Sequence, residues 1–119
     1  MMSSDLPESD WKTFRKLREV ALERFCERIL AEVGRIASGA KRTSHARYLA
    51  AYALIQERDD QIARAFNDSR RSVAAMQLAA MMSLDLIRRD ELQYFSLRTQ
   101  GIVEALRQPM RRARAIKSA

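Results

Sequence analysis

The sequence contains few of the residues that interrupt helices or carry chemistry. Its 119 residues include three glycines, two prolines, one cysteine and one histidine. Both prolines, Pro7 and Pro109, lie near the ends, so the interior is free of the strongest helix breaker. Because the chain is 47% hydrophobic and 31% charged and has so few breakers, it is predicted to be all-α.

The scarcity of cysteine and histidine argues against catalysis. A single cysteine, Cys26, excludes a disulfide within the chain and favours a cytoplasmic location, where thiols stay reduced. Any serine or cysteine nucleophile would depend on His45, which is expected at an exposed helix start. No glycine-rich phosphate loop, zinc-binding cysteine pair or His-Glu-x-x-His motif occurs. The sequence therefore predicts a protein that is not an enzyme, with no cofactor and no metal.

The sequence also lacks a hydrophobic run long enough to span a membrane. The longest window without a charged residue, 72–84, has thirteen residues, whereas a helix needs about 20 to cross a bilayer. Alanine and methionine dominate this window. Alanine lets helices approach closely and methionine fills irregular gaps, so we expect a core helix. An adaptable groove for a partner helix is the alternative.

The clearest pattern is an apolar stripe within residues 45–87. Its members recur at alternating steps of four and three, which places them on one face of a helix or of collinear helices. One unbroken helix would be about 65 Å long and would need a partner chain to cover it. Residues 67–69 are poor helix formers, so we favour a break there and two helices that fold back on each other. The stripe consists of Tyr48, Tyr52, Ile55, Asp59, Ile62, Phe66, Ser69, Val73, Met76, Ala80, Ser83 and Ile87.

The expected fold is a small all-α bundle of four to five helices, with a long N-terminal helix and a central antiparallel helix pair. Residues 1–8 are expected to form a flexible lead-in and 9–108 a single helical domain. The last helix is expected to end at Pro109, so that 109–119 forms a basic, mobile tail. The predicted core is Trp11, Phe14, Leu17, Phe25, Ile29, Val33, Tyr52, Ile55, Ile62, Phe66, Val73, Met76, Ala80, Leu84, Leu92 and Phe95.

Asp59 is a charged residue within the apolar stripe. One interpretation puts it at the edge of the core or pairs it with an arginine such as Arg15 or Arg58. The other makes it a register or specificity residue, because a polar core position selects partner and alignment in coiled coils.

The chain is strongly basic, with a net charge of +7, which favours anionic partners such as nucleic acid. Residues 109–119 contain four basic residues and no acidic one. A helix-turn-helix over residues 77–95 is disfavoured because it lacks a turn glycine and would turn Asp90 and Glu91 towards phosphates. The candidate nucleic-acid-binding residues are Arg70, Arg71, Arg88, Arg89, Arg111, Arg112, Arg114 and Lys117.

Two functional hypotheses follow from these patterns. The first is a non-catalytic helical interaction or regulatory protein that contacts a protein partner, or a second copy of itself in a homodimer. The alternative is a nucleic-acid-associated protein that binds the phosphate backbone through its basic tail and arginine-rich helix ends.

Overall fold

Helices form all of the regular structure in the part of the chain that the computed structural model describes. That part comprises residues 6–67 and 70–118, with side chains described up to residue 108. The all-α prediction is confirmed. The elements are α1 (Glu8–Ala37), α2 (Ser44–Phe66), a 3-10 turn (Arg71–Val73) that leads into α3 (Ala74–Ser83), α4 (Arg89–Leu92) and α5 (Leu97–Ser118).

The predicted break in the long stripe is confirmed. Helix α2 ends at Phe66 and α3 begins eight residues later, although Asp68 and Ser69 of the proposed break lie outside the described residues. At the other end of α2, the Thr43 hydroxyl accepts a hydrogen bond from the Ala46 N–H at 3.1 Å. Thr43 is therefore the N-cap of α2.

The prediction that Pro109 ends the last helix is wrong, because α5 continues to Ser118. A proline inside a helix removes one backbone hydrogen bond and crowds the carbonyl four residues earlier. The residues around it are mostly strong helix formers (methionine, arginine, alanine and lysine), and they favour continuation on both sides. The mobility of residues 109–119 stays a prediction.

The helices pack as two extensive pairs. Helix α1 lies along α2, and α3 lies along α5, whereas the contact between α2 and α3 is smaller. The main pairing of α2 is thus with α1 rather than with the helix that follows it. The core lies among the first two-thirds of α1, the end of α2 and the helices α3 to α5. Leu6, within the expected lead-in, is 2% exposed and belongs to this core.

Asp10 joins the start of α1 to the start of α5. It is 3% exposed, and its carboxylate accepts hydrogen bonds from the Ser96 N–H at 3.0 Å and from the hydroxyls of Ser96 and Thr99, both at 2.6 Å. Burial alone raises the pKa of Asp10, but the hydrogen bonds from Ser96 and Thr99 outweigh it and hold this pKa below its ordinary value. A buried carboxylate is thus satisfied entirely by residues 86–89 positions away.

Arg24 joins the middle of α1 to α4. Its guanidinium donates two hydrogen bonds to the Glu91 carboxylate, at 2.7 and 2.9 Å, and a third to the Leu86 carbonyl at 2.9 Å. The Glu91 carboxylate also accepts from the Arg88 N–H at 2.9 Å. The hydrogen bonds from Arg24 lower the pKa of Glu91, although burial opposes them. This bidentate pair holds the short α4 against α1.

Replacing Asp10 should weaken the fold and change its response to acid. Because the pKa of Asp10 is lower in the folded state than in the unfolded state, its contribution is complete above about pH 4 and is lost as the pH falls further. We expect Asp10→Asn to lower the free energy of unfolding by about 2 kcal/mol at neutral pH. The variant should also lose less stability than the wild type when the pH is lowered, and the loss that remains is due in part to Glu91. Urea unfolding at pH 7 and pH 3 measures both effects.

Asp60→Asn is the control for this experiment because Asp60 is exposed on α2. It should change the free energy of unfolding by less than about 0.5 kcal/mol. An unchanged pH dependence in Asp10→Asn would contradict the proposed role of the buried carboxylate.

Candidate interaction surface

Helices α1 and α2 form an antiparallel hairpin that is tied at several points. The Arg58 guanidinium contacts the Glu32 carboxylate at 3.2 Å. Nearer the connection, Arg47 donates to the Ala37 carbonyl at the end of α1. Three of the five half-buried residues between 46 and 54 on α2 are alanine.

The hairpin projects beyond the core. No residue from 30 to 64 is buried, and we call this segment the arm. Helix α1 buries its last side chain at Ile29 and α2 its first at Ala65. The described chain is accordingly elongated, with extents of 57 × 32 × 25 Å.

The predicted stripe on α2 is covered at one end only. Phe66 is 1% exposed and Ile62 packs at the edge of the core. By contrast, Tyr52 and Ile55 are 53% and 43% exposed, and Met76 on α3 is 58% exposed, so their assignment to the core is wrong. The reason is that α1 lies against the neighbouring side of α2, and no other described element covers this half of the stripe.

The bare half of the stripe forms a continuous patch. Tyr48, Leu49, Tyr52 and Ile55 lie within about 120° around α2, and we call them the α2 apolar face. The rings of Tyr48 and Tyr52 stack at 6.4 Å with an angle of 17° between their planes. Single exposed apolar residues are ordinary on protein surfaces, whereas a contiguous patch of aromatic and aliphatic side chains is typical of an interaction site.

Charges of opposite sign border the α2 apolar face. Lys41 and Arg42 are exposed in the connection just before α2, whereas Asp59 and Asp60 are exposed beyond Ile55. Within the described residues, none of these charged groups forms an ion pair, and Arg58 instead pairs with glutamates. The expected pairing of Asp59 with Arg15 or Arg58 is therefore not observed. Its role in register or specificity stays a prediction.

Apart from the α2 apolar face, the described residues form a groove between α1, α2 and α3. This groove has a volume of about 900 Å³. Phe25, Met76 and Leu84 contribute apolar surface, while Arg28 and Arg58 contribute charge. Most of α3 itself is buried in the core, as the sequence predicted, so the groove exposes little of the alanine- and methionine-rich segment.

Gln77 is the polar exception on α3. It lines the groove, is 5% exposed, and its Oε1 has no hydrogen-bond partner among the described residues. No signal in the sequence marked it, because glutamine is an ordinary residue on a helix.

The candidate phosphate-binding arginines do not form one compact cluster. Arg71 donates to the Leu6 carbonyl and to Glu8 at the start of α1, with N···O distances of 2.7 and 2.8 Å. Arg88 contacts Asp90 and Glu91, beside Arg24. Because Glu8 and Arg24 are sixteen residues apart on α1, the two arginines are separated by about 24 Å along it.

The remaining basic candidates divide into two groups. Arg70 and Arg89 are exposed, the first in the loop after α2 and the second at the start of α4. The side chains of Arg111, Arg112, Arg114 and Lys117 lie outside the described set, although their backbone belongs to α5. Helix α4 has only four residues, so residues 77–95 do not form a helix-turn-helix with a recognition helix.

Searches of family models, curated proteins and solved structures found no match to this chain. Among the described residues, no helix is long and apolar enough to cross a membrane. The same residues contain no group of three histidine, cysteine or acidic side chains placed to hold a metal ion.

Alanine substitutions along the stripe should lower the free energy of unfolding more in its covered half than in its bare half. We expect Phe66→Ala to cost about 3–5 kcal/mol, because it removes a buried ring from the core. Tyr52→Ala should cost less than about 1 kcal/mol, because half of the ring is already in solvent. Denaturant unfolding at low protein concentration measures both values. Equal losses would contradict the exposed position of Tyr52.

Proposed function

We propose that this protein is a non-catalytic helical interaction protein that binds a protein partner through the α2 apolar face. The supporting observation is the bare patch of Tyr48, Leu49, Tyr52 and Ile55 on an arm without buried residues. Covering such a patch is favourable because water is released from apolar surface. A regulatory role fits a protein that acts by contact, and the reduced Cys26 fits a cytoplasmic location.

The composition of the patch suits a protein surface as its target. Tyrosine is enriched at protein interfaces because its large ring stays rigid and its hydroxyl tolerates solvent. Two stacked tyrosines beside two aliphatic residues provide an apolar centre, and the charges at both ends of α2 provide a polar rim. This arrangement of an apolar centre within a charged border is usual for specific protein contacts.

Site-specific photo-crosslinking tests the proposal. A photoreactive amino acid that replaces Tyr52 in the full chain, expressed in cells, should yield a covalent protein adduct. The same amino acid at Glu57, about 140° away around α2, should yield little, since that side lies outside the α2 apolar face. Mass spectrometry of the adduct identifies the partner. Equal labelling at both positions, or none at Tyr52, would exclude the face as a binding surface.

Nucleic-acid association is a second candidate function, and one observation favours it. Helix α5 continues past Pro109, so the four basic residues of 109–119 belong to one helical segment without acidic residues. Such a segment can approach a phosphate backbone, and its binding would depend strongly on salt.

Truncation after Gln108 tests this second function. If it is correct, the full chain binds labelled DNA or RNA at low salt, and the truncated chain binds at least about tenfold more weakly. Binding should also fall steeply between 50 and 200 mM salt, as titration by fluorescence anisotropy would show. Equal affinity of the two chains would remove the tail from consideration.

A further inference from the structure

The arm contains only half of a stable helical bundle. Two antiparallel helices bury one interface, whereas a four-helix bundle buries a common core between two such pairs. In this protein the α1–α2 hairpin continues through residues 30–64 without a fully buried side chain. The apolar face that would form the missing core is present on α2, but no described element packs on it. Two more helices would complete the bundle.

Polar side chains lie at equal distances on either side of Tyr52. His45 lies seven residues before Tyr52 and Asp59 seven residues after it, about 10.5 Å away in each direction along α2. Lys41 and Arg42, in the connection before α2, provide the basic charges on the His45 side, and Asp60 adds to the acidic charge of Asp59. Arg64 is also exposed one turn beyond Asp60, whereas Arg58 is paired with Glu32 and Glu57. An antiparallel copy would bring the exposed carboxylates of Asp59 and Asp60 towards the cations that precede α2.

We propose that the partner of the α2 apolar face is a second copy of this chain, bound with α2 antiparallel to α2 around a two-fold axis near Tyr52. This inference rests on the proposed function and names its partner. The two arms then form a four-helix bundle, and each chain contributes the same surface, as a two-fold dimer requires.

The antiparallel arrangement satisfies the apolar and the charged groups together. Near the axis, Tyr52 of each copy packs against the other α2 apolar face. At each end, Asp59 of one copy lies beside His45 and Arg42 of the second copy. A parallel arrangement would instead align the basic ends with each other and the acidic ends with each other, which is unfavourable. Asp59 thus acts as the register residue by favouring one orientation.

The size of the face limits the strength of this dimer. With about 200 Å² for a whole tyrosine side chain, Tyr48 and Tyr52 expose roughly 240 Å² between them. Leu49 and Ile55 bring the patch to the few hundred Å² that is typical of interaction sites on monomers. A standard protein interface buries about 800 Å² on each partner. We therefore expect a dissociation constant in the micromolar range.

Sedimentation equilibrium of the full chain over about 1–300 µM is the first test. We expect a reversible monomer–dimer equilibrium. Tyr52→Lys should weaken it at least about 100-fold, since both copies then place a cation at the axis. Glu57→Lys is the matched control, because it adds a lysine at an exposed position on the opposite side of α2 and should leave the dimer unchanged. Circular dichroism confirms that both variants remain folded.

Charge reversal at Asp59 tests the orientation. Asp59→Lys places a cation beside the basic end of the second copy. Because of the two-fold axis, this repulsion occurs at two equivalent places in the dimer. We expect association to weaken about five- to tenfold, and more at low than at high salt. Glu57→Lys serves again as the control, since it changes the net charge by the same amount.

Disulfide formation distinguishes antiparallel from parallel pairing. In a Cys26→Ala background, His45→Cys and Asp59→Cys chains should cross-link when mixed and oxidised, because positions 45 and 59 of the two copies meet. Each variant alone should cross-link weakly. Strong cross-linking of each variant with itself, and not in the mixture, would establish the parallel arrangement and overturn the proposal.

The two proposals fail in different ways. If the wild-type chain stays monomeric at every concentration, or if its dimer is insensitive to Tyr52→Lys, the second copy is not the partner. The photo-crosslinked adduct at Tyr52 would still reveal a different protein by its mass, and the proposed function would stand. If no adduct forms and no self-association occurs, both proposals are wrong.

Discussion

The difference in length between the helices is the constraint on which the shape of this protein depends. Helix α1 has thirty residues and α3 has ten, which corresponds to about 45 and 15 Å. A helix of 15 Å cannot cover a hairpin of 45 Å, and the longer α5 makes its extensive contact with α3. The helices α3, α4 and α5 therefore enclose only the part of the hairpin around the start of α1 and the end of α2. The rest of the hairpin becomes the arm, and the apolar side chains there face solvent.

Buried polar groups determine where α4 and α5 lie along α1. Asp10 accepts three hydrogen bonds from Ser96 and Thr99, and Arg24 forms a bidentate pair with Glu91. An apolar contact tolerates sliding, whereas a buried carboxylate that loses its donors pays the full cost of desolvation. These two interactions therefore fix where α4 and α5 lie along α1. Neither interaction involves a residue of the arm.

The α2 stripe shows what the spacing of apolar residues predicts and what it does not. Alternating steps of four and three correctly place Tyr52 and Phe66 on one face, yet Phe66 is buried and Tyr52 is half exposed. Periodicity is a local property that reports which residues share a face. It contains no information about how far a neighbouring helix extends along that face. Two residues of the α2 apolar face, Tyr52 and Ile55, were therefore assigned to the core from the sequence, although both are exposed.

By itself the sequence determined the helical class, the break after Phe66 and most of the core on α1, including Phe14, Phe25 and Ile29. These features depend on composition, on caps and on the spacing of apolar residues, all of which act between near neighbours in the chain. Only the tertiary structure decided that Asp10 and Glu91 are buried and that α2 pairs with α1. It also decided that half of the stripe is bare, because coverage depends on helices that are distant in the chain and on their relative lengths.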